Sequence, residues 1–480
     1  MRILYLSYYY LPHVGGGTWT TYNLSMRLAK KGHDVQLLVP NIKHKLAISP
    51  KESQNLEKNN LSKIHKVPRI MIPRLSGPLI SNFFIFPTAL KIGRKADIVI
   101  SQHHPHHFFA VMAVFLGRIL GAPVLIRADD VYREMGVSFG LTGQLVKAAN
   151  RINENFIKYS DRFLVTTSEG EKEISARVNL PPNHIGLSPN GVDPSEFNIV
   201  RHHQTNTRKP LGIKSDSKIL LFVGRFSGPE YGIDLLLGSL PKIIKEIPDL
   251  TLILVGDKLT SRSNALVDSL GIRKNVMVYG PCPRDRIIDL ILAADVCVGP
   301  LKATRASPMK ILEYMTCGKP IVTGLFSVSK DVAVNGTNCV FVPQDSKGIA
   351  ETIIKLLEDR DYSNRLGLNA KKTADRFSWD RIADDLDVVI SDVAKKSRAP
   401  ALYQNTVSDN YVVTDPSRIC VPKFPFFKRS RVGSRLLNNA SGVPKHITIH
   451  RRSKARSTRY LQTNLETGMH AKDARFSEGS

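Results

Sequence analysis

The 480-residue sequence has few cysteines and no long apolar run, and each shortage excludes a class of protein. No segment reaches the ~18 apolar residues of a membrane-spanning helix, because the best candidate, residues 108–126, is interrupted by Arg118 and by Gly121-Ala122-Pro123. The cysteines form no CxxC pair, and they are Cys282, Cys297, Cys317, Cys339 and Cys420. This spacing argues against a disulfide framework or a zinc site and favours reduced thiols in a cytosolic protein.

The first ten residues, MRILYLSYYY, lack the longer apolar core and the small-residue cleavage site of a signal peptide. They are expected to form the first strand of a sheet. Any membrane association is then expected to be peripheral, on the cytosolic face.

Acidic residues are scarce, since 42 Asp and Glu face 68 Lys and Arg, for a formal net charge of +26. Nucleoside diphosphates, phospholipid headgroups and nucleic acid all suit such a charge, which cannot choose among them. Residues 398–480 carry 15 Lys and Arg against five Asp and Glu and show little periodicity. They predict a basic, disordered tail. A nucleic-acid partner has only this charge in its favour and is not expected.

The chain does contain, in both halves, short β-branched or leucine-rich runs that alternate with amphipathic segments. This alternation is typical of parallel sheets with crossover helices, and it predicts an α/β fold of two doubly wound domains. The expected strands cover residues 3–7, 34–39, 98–101, 124–127 and 163–167, then 219–223, 250–255, 276–279, 296–299, 321–323 and 339–342.

Four segments are predicted along the chain. Residues 1–200 form an N-terminal, acceptor-side domain, and residues 201–378 form a C-terminal domain that binds the nucleotide. Residues 379–397 form a helix that packs back on the N-terminal domain, followed by the tail. The polar residues 197–217 are expected to be the linker, and the Lys-rich residues 42–75 a mobile insertion.

Two glycine-containing turns are candidate binding elements. Gly15, Gly16 and Gly17 lie between the first strand and a helix, where backbone N–H groups can approach an anion or a sugar closely. A flexible turn that lets the helix pack accounts equally well for them. Gly224-Arg225 follows the strand at 219–223, where a guanidinium can bind a diphosphate with two hydrogen bonds, although a surface salt bridge is the simpler explanation.

The segment SPMKILEYMTCGKPIV, residues 307–322, contains a third candidate, Glu313. A proline opens a helix, Gly318 ends it with a positive φ, and Ile321-Val322 starts a strand. This arrangement predicts that Glu313 lies at the mouth of an α/β crevice, where nucleotides bind. An ordinary helix-to-strand joint is the alternative.

Together these residues resemble the retaining glycosyltransferases of family 4, which have the GT-B fold of two facing Rossmann-like domains. The resemblance covers residues 1 to about 395, and the PNGVD and EYMxxGKP blocks are its most specific parts. The matching segments are Pro12 with Gly15 to Gly17, Gly32-His33-Asp34-Val35, Ser188-Pro189-Asn190-Gly191-Val192-Asp193 with Phe197, Gly224-Arg225, Val255-Gly256-Asp257, Ala294-Asp295-Val296, and Glu313-Tyr314-Met315 with Gly318-Lys319-Pro320.

The resemblance implies transfer of a sugar from a UDP- or GDP-linked donor, as substrate, to a hydroxyl of a lipid-linked or polysaccharide glycan. The configuration at the anomeric carbon is retained, the donor phosphate takes the acceptor proton, and neither a metal nor another cofactor is needed. Glu313 would bind the ribose hydroxyls, Arg225 the diphosphate, and the Gly15 to Gly17 loop would lie over the phosphates and sugar. The implied location is cytoplasmic, with an anionic membrane surface as a possible partner.

Three departures from the family pattern stand out. The usual lysine after Arg225 is Tyr231, the first acid of the paired-acid motif is Arg305, and the His-Asp pair after the fifth strand is Asp129-Asp130. We hypothesise that Arg305 and Lys310 replace the missing cation at the diphosphate. A non-catalytic GT-B subunit that binds a glycan or a nucleotide is the alternative to an enzyme.

The candidate residues fall into two groups. The candidate catalytic residues are Glu313, Arg225, Asp129 and Asp130. The candidate donor-binding residues are Gly15, Gly16, Gly17, Gly224, Arg225, Arg305, Lys310 and Glu313.

Two further clusters have simpler explanations. The histidines at 103, 104, 106 and 107 are dense, but no matching carboxylate or Cys accompanies them, so a His-rich loop is favoured over a metal site. An aromatic and basic stretch reads as a solvated helix with core aromatics or as a peripheral membrane face. Its residues are Phe83, Phe84, Phe86, Lys91, Arg94 and Lys95.

Overall fold

The fold, taken from a computed structural model, contains two parallel sheets. The structure describes residues 1–13, 15–41, 50–68, 77–103, 108–129, 151–201, 208, 217–224, 231–256, 258–302, 309–325 and 329–398. The sheets and their helices are called the N-terminal lobe and the C-terminal lobe below.

The sheet of the N-terminal lobe has seven parallel strands in the order β3-β2-β1-β4-β5-β6-β7. The strand order reverses between β1 and β4, which are neighbours, with Ile3 opposite Ile98. Its strands are β1 (Arg2–Leu6), β2 (Asp34–Pro40), β3 (Lys63–Val67), β4 (Ile98–His103), β5 (Val124–Ala128), β6 (Arg162–Val165) and β7 (Ile185–Leu187).

The sheet of the C-terminal lobe has six parallel strands in the order β10-β9-β8-β11-β12-β13. Here the order reverses between β8 and β11, where Leu220 pairs with Val296. Its strands are β8 (Lys218–Gly224), β9 (Leu250–Gly256), β10 (Val276–Tyr279), β11 (Val296–Val298), β12 (Ile321–Gly324) and β13 (Val340–Val342).

Helices cover both faces of each sheet, which is why the strands are nearly continuous apolar runs rather than alternating ones. Residues 151–157 are also helical. The bounded helices are α1 (Gly16–Lys30), α2 (Pro50–Asn59), α3 (Gly77–Ile92), α4 (Phe109–Leu120), α5 (Ser168–Val178), α6 (Pro194–Arg201), α7 (Ile233–Glu246), α8 (Ser261–Ser269), α9 (Arg284–Ala293), α10 (Met309–Thr316), α11 (Ser346–Glu358), α12 (Arg360–Ala374) and α13 (Trp379–Arg398).

The last helix, α13, closes one face of the N-terminal sheet. Its buried residues Trp379, Leu386 and Ile390 pack with Tyr5 of β1 and Leu24 of α1. The opposite face is covered by α3, α4, residues 151–157 and α5. The chain therefore returns to its N-terminal lobe after the C-terminal sheet is complete.

Arg27 of α1 holds the segment after β7 and the last helix against the N-terminal lobe, since its guanidinium donates to Asp193 at 2.7 Å and to Asp380 at 2.7 Å. Hydrogen bonds also join the two lobes. The Asp331 carboxylate accepts from the backbone N–H and the hydroxyl of Ser168, both at 2.7 Å, so it caps the first turn of α5. Ser329 donates to Glu169 of the same helix at 2.7 Å.

The predicted fold class, two doubly wound Rossmann-like domains, is confirmed. Two edge strands, β3 and β7, are missing from the predicted set, because KIHKV is largely polar and IGL is only three residues long. The expectation for residues 42–75 was wrong in part, since α2 and β3 lie there. The linker expectation also needs correction, because its first residues, from Phe197, belong to α6. The domain bounds stay predictions, and the tail lies outside the described residues.

Two absences hold for the described ranges alone. None of the helices there is long and apolar enough to cross a bilayer. None of the four cysteines described forms a disulfide, and three of them, Cys297, Cys317 and Cys339, are buried.

Candidate active site

Both strand-order reversals place their crevice at the carboxyl ends of the strands, which is where open parallel sheets bind ligands. In the N-terminal lobe this edge follows β1, β4 and β5. In the C-terminal lobe it follows β8 and β11. The polar side chains at these two edges form the candidate site.

Asp129, directly after β5, is held in place on the N-terminal side. One carboxylate oxygen accepts a short hydrogen bond from Arg127, and the other accepts one from the Gln102 amide at the end of β4. The Gln102 carbonyl oxygen accepts from Ser7 at 2.5 Å and from Thr21 of α1. The Asp129 side chain keeps 17% of its surface exposed, so a fixed carboxylate faces the crevice.

Arg127 links this edge to the PNGVD block. Its guanidinium is 1% exposed and donates to the Ser188 hydroxyl at 3.1 Å and to the Asn190 side-chain oxygen at 3.0 Å. It also donates to the Pro189 carbonyl at 3.2 Å. A buried arginine with this many acceptors is rigid, so it fixes the position of Asp129.

The glycine turn lies beside this carboxylate. Helix α1 begins at Gly16, so its first N–H groups point toward the crevice. A Cβ atom on Gly17 would lie 3.4 Å from Asp129 Oδ2, and one on Gly16 would lie 3.7 Å from the Met309 sulfur of α10. The turn therefore faces both the N-terminal carboxylate and the helix that carries Glu313.

Glu313 is buried on α10 and has a partner that the sequence did not suggest. Its carboxylate accepts a short hydrogen bond from Arg284, the first residue of α9. Arg284 also donates to Glu196 of α6 at 3.0 Å. Burial opposes the charge on Arg284, but the two carboxylates raise the pKa of its guanidinium above the ordinary value. Burial raises the pKa of Glu196, and Arg284 counters part of that rise.

Arg284 also touches aromatic rings of both lobes. Its guanidinium carbon lies 5.7 Å from the ring centroid of Trp19 in α1 and 5.6 Å from that of Phe197 in α6. Cation–π contacts at this distance favour the charged form. Arg284 thus contacts α1 through Trp19, α6 through Phe197, and the carboxylate of Glu313.

Lys310 lies one helical turn before Glu313, so both side chains share a face of α10. Its Nζ atom lies 4.4 Å from the Phe222 ring centroid and 4.8 Å from that of Tyr231. Tyr231 is the residue that replaces the usual lysine. The Lys310 ammonium group therefore lies against the ring of Tyr231, the residue that stands where a lysine was expected.

Gly224 makes room for this ammonium group. Its φ is 120°, and a Cβ atom there would lie 2.5 Å from Lys310 Nζ. A Cβ atom on Gly256, its partner on β9, would in turn lie 2.5 Å from the Gly224 carbonyl oxygen. The glycines at the ends of β8 and β9 consequently leave space beside Lys310, and any larger residue at these two positions would fill it.

We expect Gly224→Ala to lower the free energy of unfolding by about 1–3 kcal/mol, because this backbone region is nearly restricted to glycine. It should also displace Lys310 and weaken UDP or GDP binding. Urea unfolding and nucleotide titration measure the two effects. Gly271→Ala is the matched control, since its φ is 67° and its added Cβ would meet nothing within 4 Å. Unchanged nucleotide affinity in Gly224→Ala would contradict the role given to this space.

Helix α10 is anchored at both ends of the motif. The Tyr314 hydroxyl, fully buried, accepts from the Val223 N–H at 2.8 Å. Gly318, with φ 65°, ends the helix as predicted. Lys319 donates to the carbonyls of Leu292 and Ala294 at 2.7 and 2.8 Å, so the segment after α10 caps the helix that begins with Arg284.

The structure thus brings several predicted residues to the two facing edges. Gly15 to Gly17 and Asp129 belong to the N-terminal edge, while Gly224, Lys310 and Glu313 belong to the C-terminal edge. Three predicted residues lie outside the described ones, so their roles stay predictions: Arg225, Arg305 and Asp130.

Sequence reasoning missed Arg284, Gln102 and Arg127. A basic residue at the start of a helix is common, but an arginine within the apolar strand VLIRA was a signal that could have been used. The histidine cluster is described at His103 alone, where the buried ring bonds to Asn153 at 3.2 Å. Within the described part of the chain no group of side chains has the composition of a metal site.

Two family models match consecutive parts of the chain. Glycosyltransferase Family 4 matches residues 14–196, and Glycosyl transferases group 1 matches residues 203–373. The first range contains β2 to β7 and the second contains β8 to β13, and together they cover well over half of the sequence.

Among curated relatives, the glycosyltransferase MJ1607 of Methanocaldococcus jannaschii is 25% identical over 80% of this chain and 96% of its own length. A D-inositol 3-phosphate glycosyltransferase of Thermobispora bispora is 27% identical over 51% of this chain, which spans 58% of that relative. Among solved structures, Anabaena HepE in complex with UDP-glucose superposes with a TM-score of 0.62 at 17% identity, over 82% of this chain and all of HepE. At that identity the likeness shows the fold alone.

Two facing doubly wound lobes, with a glycine turn on one edge and a Lys-x-x-Glu helix on the other, define a GT-B protein. With both family models matched in order, the chain belongs to the family 4 glycosyltransferases.

Proposed function

We propose that this chain is a retaining glycosyltransferase that moves a hexosyl group from a UDP- or GDP-linked donor to a hydroxyl of a lipid-linked or polysaccharide glycan. The observation that carries the proposal is the shared face of Lys310 and Glu313 on α10, whose first residue lies against the Gly16 turn. HepE, a protein of the same fold, was solved in complex with UDP-glucose, and this supports a nucleotide sugar as the ligand of this chain.

The donor would lie across this face of α10. Glu313 accepts hydrogen bonds from the ribose hydroxyls, and Lys310 is placed for the diphosphate. Arg225 and Arg305 are proposed to add positive charge there, as expected from the sequence. Fixed cations and helix N–H groups stabilise the charge that develops on the leaving diphosphate, so the reaction is proposed to need no metal.

In the proposed reaction the bond between the anomeric carbon and the phosphate oxygen breaks. The acceptor oxygen forms its bond to the same face of that carbon, and the acceptor proton passes to the departing phosphate oxygen. Configuration is thereby retained. Each carboxylate oxygen of Asp129 has a further lone pair, so this side chain can accept a hydrogen bond from the acceptor.

Nucleotide preference is tested first by thermal shift with UDP, GDP and ADP. A nucleotide present at a hundred times its dissociation constant should stabilise the folded chain by roughly 2.7 kcal/mol. We expect UDP or GDP, and not ADP, to do so. Absence of any shift would contradict a donor site on α10.

Turnover is tested next with a panel of nucleotide sugars. Slow hydrolysis or transfer from one donor, with the anomer of the product assigned by NMR, would support a retaining enzyme. Binding without turnover of any donor and acceptor pair would instead support the non-catalytic subunit. The replacements at Tyr231 and Arg305 are the reason for testing that alternative.

A further inference from the structure

An aromatic and basic surface lies on the N-terminal lobe, away from the candidate site. Phe115 and Ile119 of α4 are 42% and 60% exposed, and Ile152 and Tyr159, in and after the helical residues 151–157, are 49% and 44% exposed. Phe156 connects the two segments, with ring centroids 5.7 Å from Phe115 and 5.8 Å from Tyr159. We call these five residues and their cations the α4 surface.

This concentration is unusual within the described part of the chain. Four of the eleven large hydrophobic side chains that are exposed there belong to the α4 surface, whereas others, such as Leu61, Leu368 and Val388, lie on separate elements. Single exposed hydrophobic residues need no explanation, but a contiguous group marks an interaction site.

Cations outnumber carboxylates around this group, and the exposed Asp161 that follows it accepts from the Val124 N–H at 2.7 Å. Six cations are exposed on α3, the turn after it, α4 and residues 151–158, and they are Lys91, Arg94, Lys95, Arg118, Arg151 and Lys158. Along residues 85–95, 108–120 and 151–160 the single carboxylate is Glu154, which is buried and paired with Arg177 at 2.9 Å.

Two of the cations lie over an exposed ring. The Arg118 guanidinium carbon and the Lys158 Nζ atom are 5.3 and 5.2 Å from the centroid of Tyr159. A ring flanked by two cations presents an apolar body next to positive charge. This combination suits the boundary between lipid headgroups and acyl chains.

We propose that the α4 surface docks the protein on an anionic lipid bilayer. Six like charges disfavour a second copy of the same surface, whereas they complement the negative potential of anionic headgroups. The exposed aromatic and aliphatic side chains then enter the headgroup layer.

The α4 surface lies at the edge of the sheet opposite the crevice. Helix α4 runs from the carboxyl end of β4 to the amino end of β5, and Phe115 and Ile119 lie in its second half, while Tyr159 precedes β6. Docking through this surface would therefore leave the crevice, at the carboxyl ends of the strands, on the side away from the bilayer. The surface itself is argued without the donor site, so it can stand if the proposed reaction fails.

Vesicle co-sedimentation of the full chain tests the surface, with phosphatidylcholine vesicles with and without phosphatidylglycerol. We expect the double variant Ile119→Glu/Tyr159→Glu to bind the anionic vesicles at least about tenfold more weakly than the unsubstituted chain. The control Val388→Glu/Leu368→Glu adds the same charge at two other exposed hydrophobic positions and should bind normally. Equal binding by both variants would overturn the proposal.

Insertion separates the α4 surface from attraction by the basic tail. In Ile119→Trp, brominated lipids should quench fluorescence beyond the quenching of the unsubstituted chain, whereas in Val388→Trp they should not. Absence of extra quenching in Ile119→Trp would overturn the proposal. So would a change in the sedimentation coefficient of the lipid-free double variant relative to the control, because the surface would then join two copies of the chain.

Discussion

The Lys310→Met variant is expected to bind UDP or GDP about 10- to 100-fold more weakly than the unsubstituted chain, with unchanged affinity for uridine or guanosine. A hydrogen bond to a charged group contributes about 1.5–3 kcal/mol, and 1.4 kcal/mol corresponds to a factor of ten. Methionine has a similar length and packs well on aromatic rings, so the contacts with Phe222 and Tyr231 should be largely kept. Isothermal titration with nucleotide and nucleoside separates the diphosphate from the rest of the ligand.

The matched control is Lys355→Met. Lys355 also lies over a tyrosine ring, with its Nζ atom 5.2 Å from the centroid of Tyr362, but Lys355 belongs to α11 and Tyr362 to α12, outside the site. Its substitution should leave nucleotide affinity unchanged. If Lys310→Met binds UDP and GDP normally while Arg225→Ala loses affinity, Lys310 does not replace the missing cation.

The two-lobe fold was predictable because its signal is repeated. Each sheet contains strands that are buried on both faces, such as RILYL in the N-terminal sheet and KILLFVG in the C-terminal sheet, and these strands alternate with amphipathic helices. The edge strand KIHKV carries two lysines and a histidine, since one side of an edge faces water, and so it resembles a loop in the sequence.

The site was predictable only where the residues of a single segment determine the local structure of that segment. Gly318 and the apolar residues around Glu313 determine where α10 ends and which face Glu313 occupies. The partner of Glu313 is different, because Arg284 belongs to another helix and reaches it through tertiary packing. Neither the spacing nor the residue types of PRDRI distinguish that arginine from one exposed to solvent.

The replacement at Tyr231 shows a further limit. From the sequence, tyrosine in place of lysine is the loss of a cation. In the structure the ring contacts the ammonium group of Lys310, so the same substitution provides a surface that holds a cation from α10. The sequence contained both residues, but their proximity depends on β8 and α10 being adjacent in space.

The Glu313→Ala variant is expected to lower kcat/KM for the nucleotide sugar by about 100-fold. Loss of charge-assisted hydrogen bonds to the ribose accounts for a decrease of this order. The variant should also lower the free energy of unfolding by about 1–3 kcal/mol, because Arg284, 22% exposed, would keep Glu196 alone as a carboxylate partner. Steady-state kinetics and urea unfolding measure the two effects.

The two effects can be separated with a conservative variant and a modified ligand. Glu313→Gln keeps an acceptor for Arg284 and should recover much of the stability. The unsubstituted chain should prefer UDP or GDP over the corresponding 2′,3′-dideoxynucleotide, and Glu313→Ala should lose that preference because the hydroxyl contacts are gone. If the preference persists in Glu313→Ala while stability falls as expected, Glu313 holds Arg284 and does not bind the ribose. The donor would then have to be bound by Arg225 and Arg305 of the C-terminal lobe, and α10 would only support them.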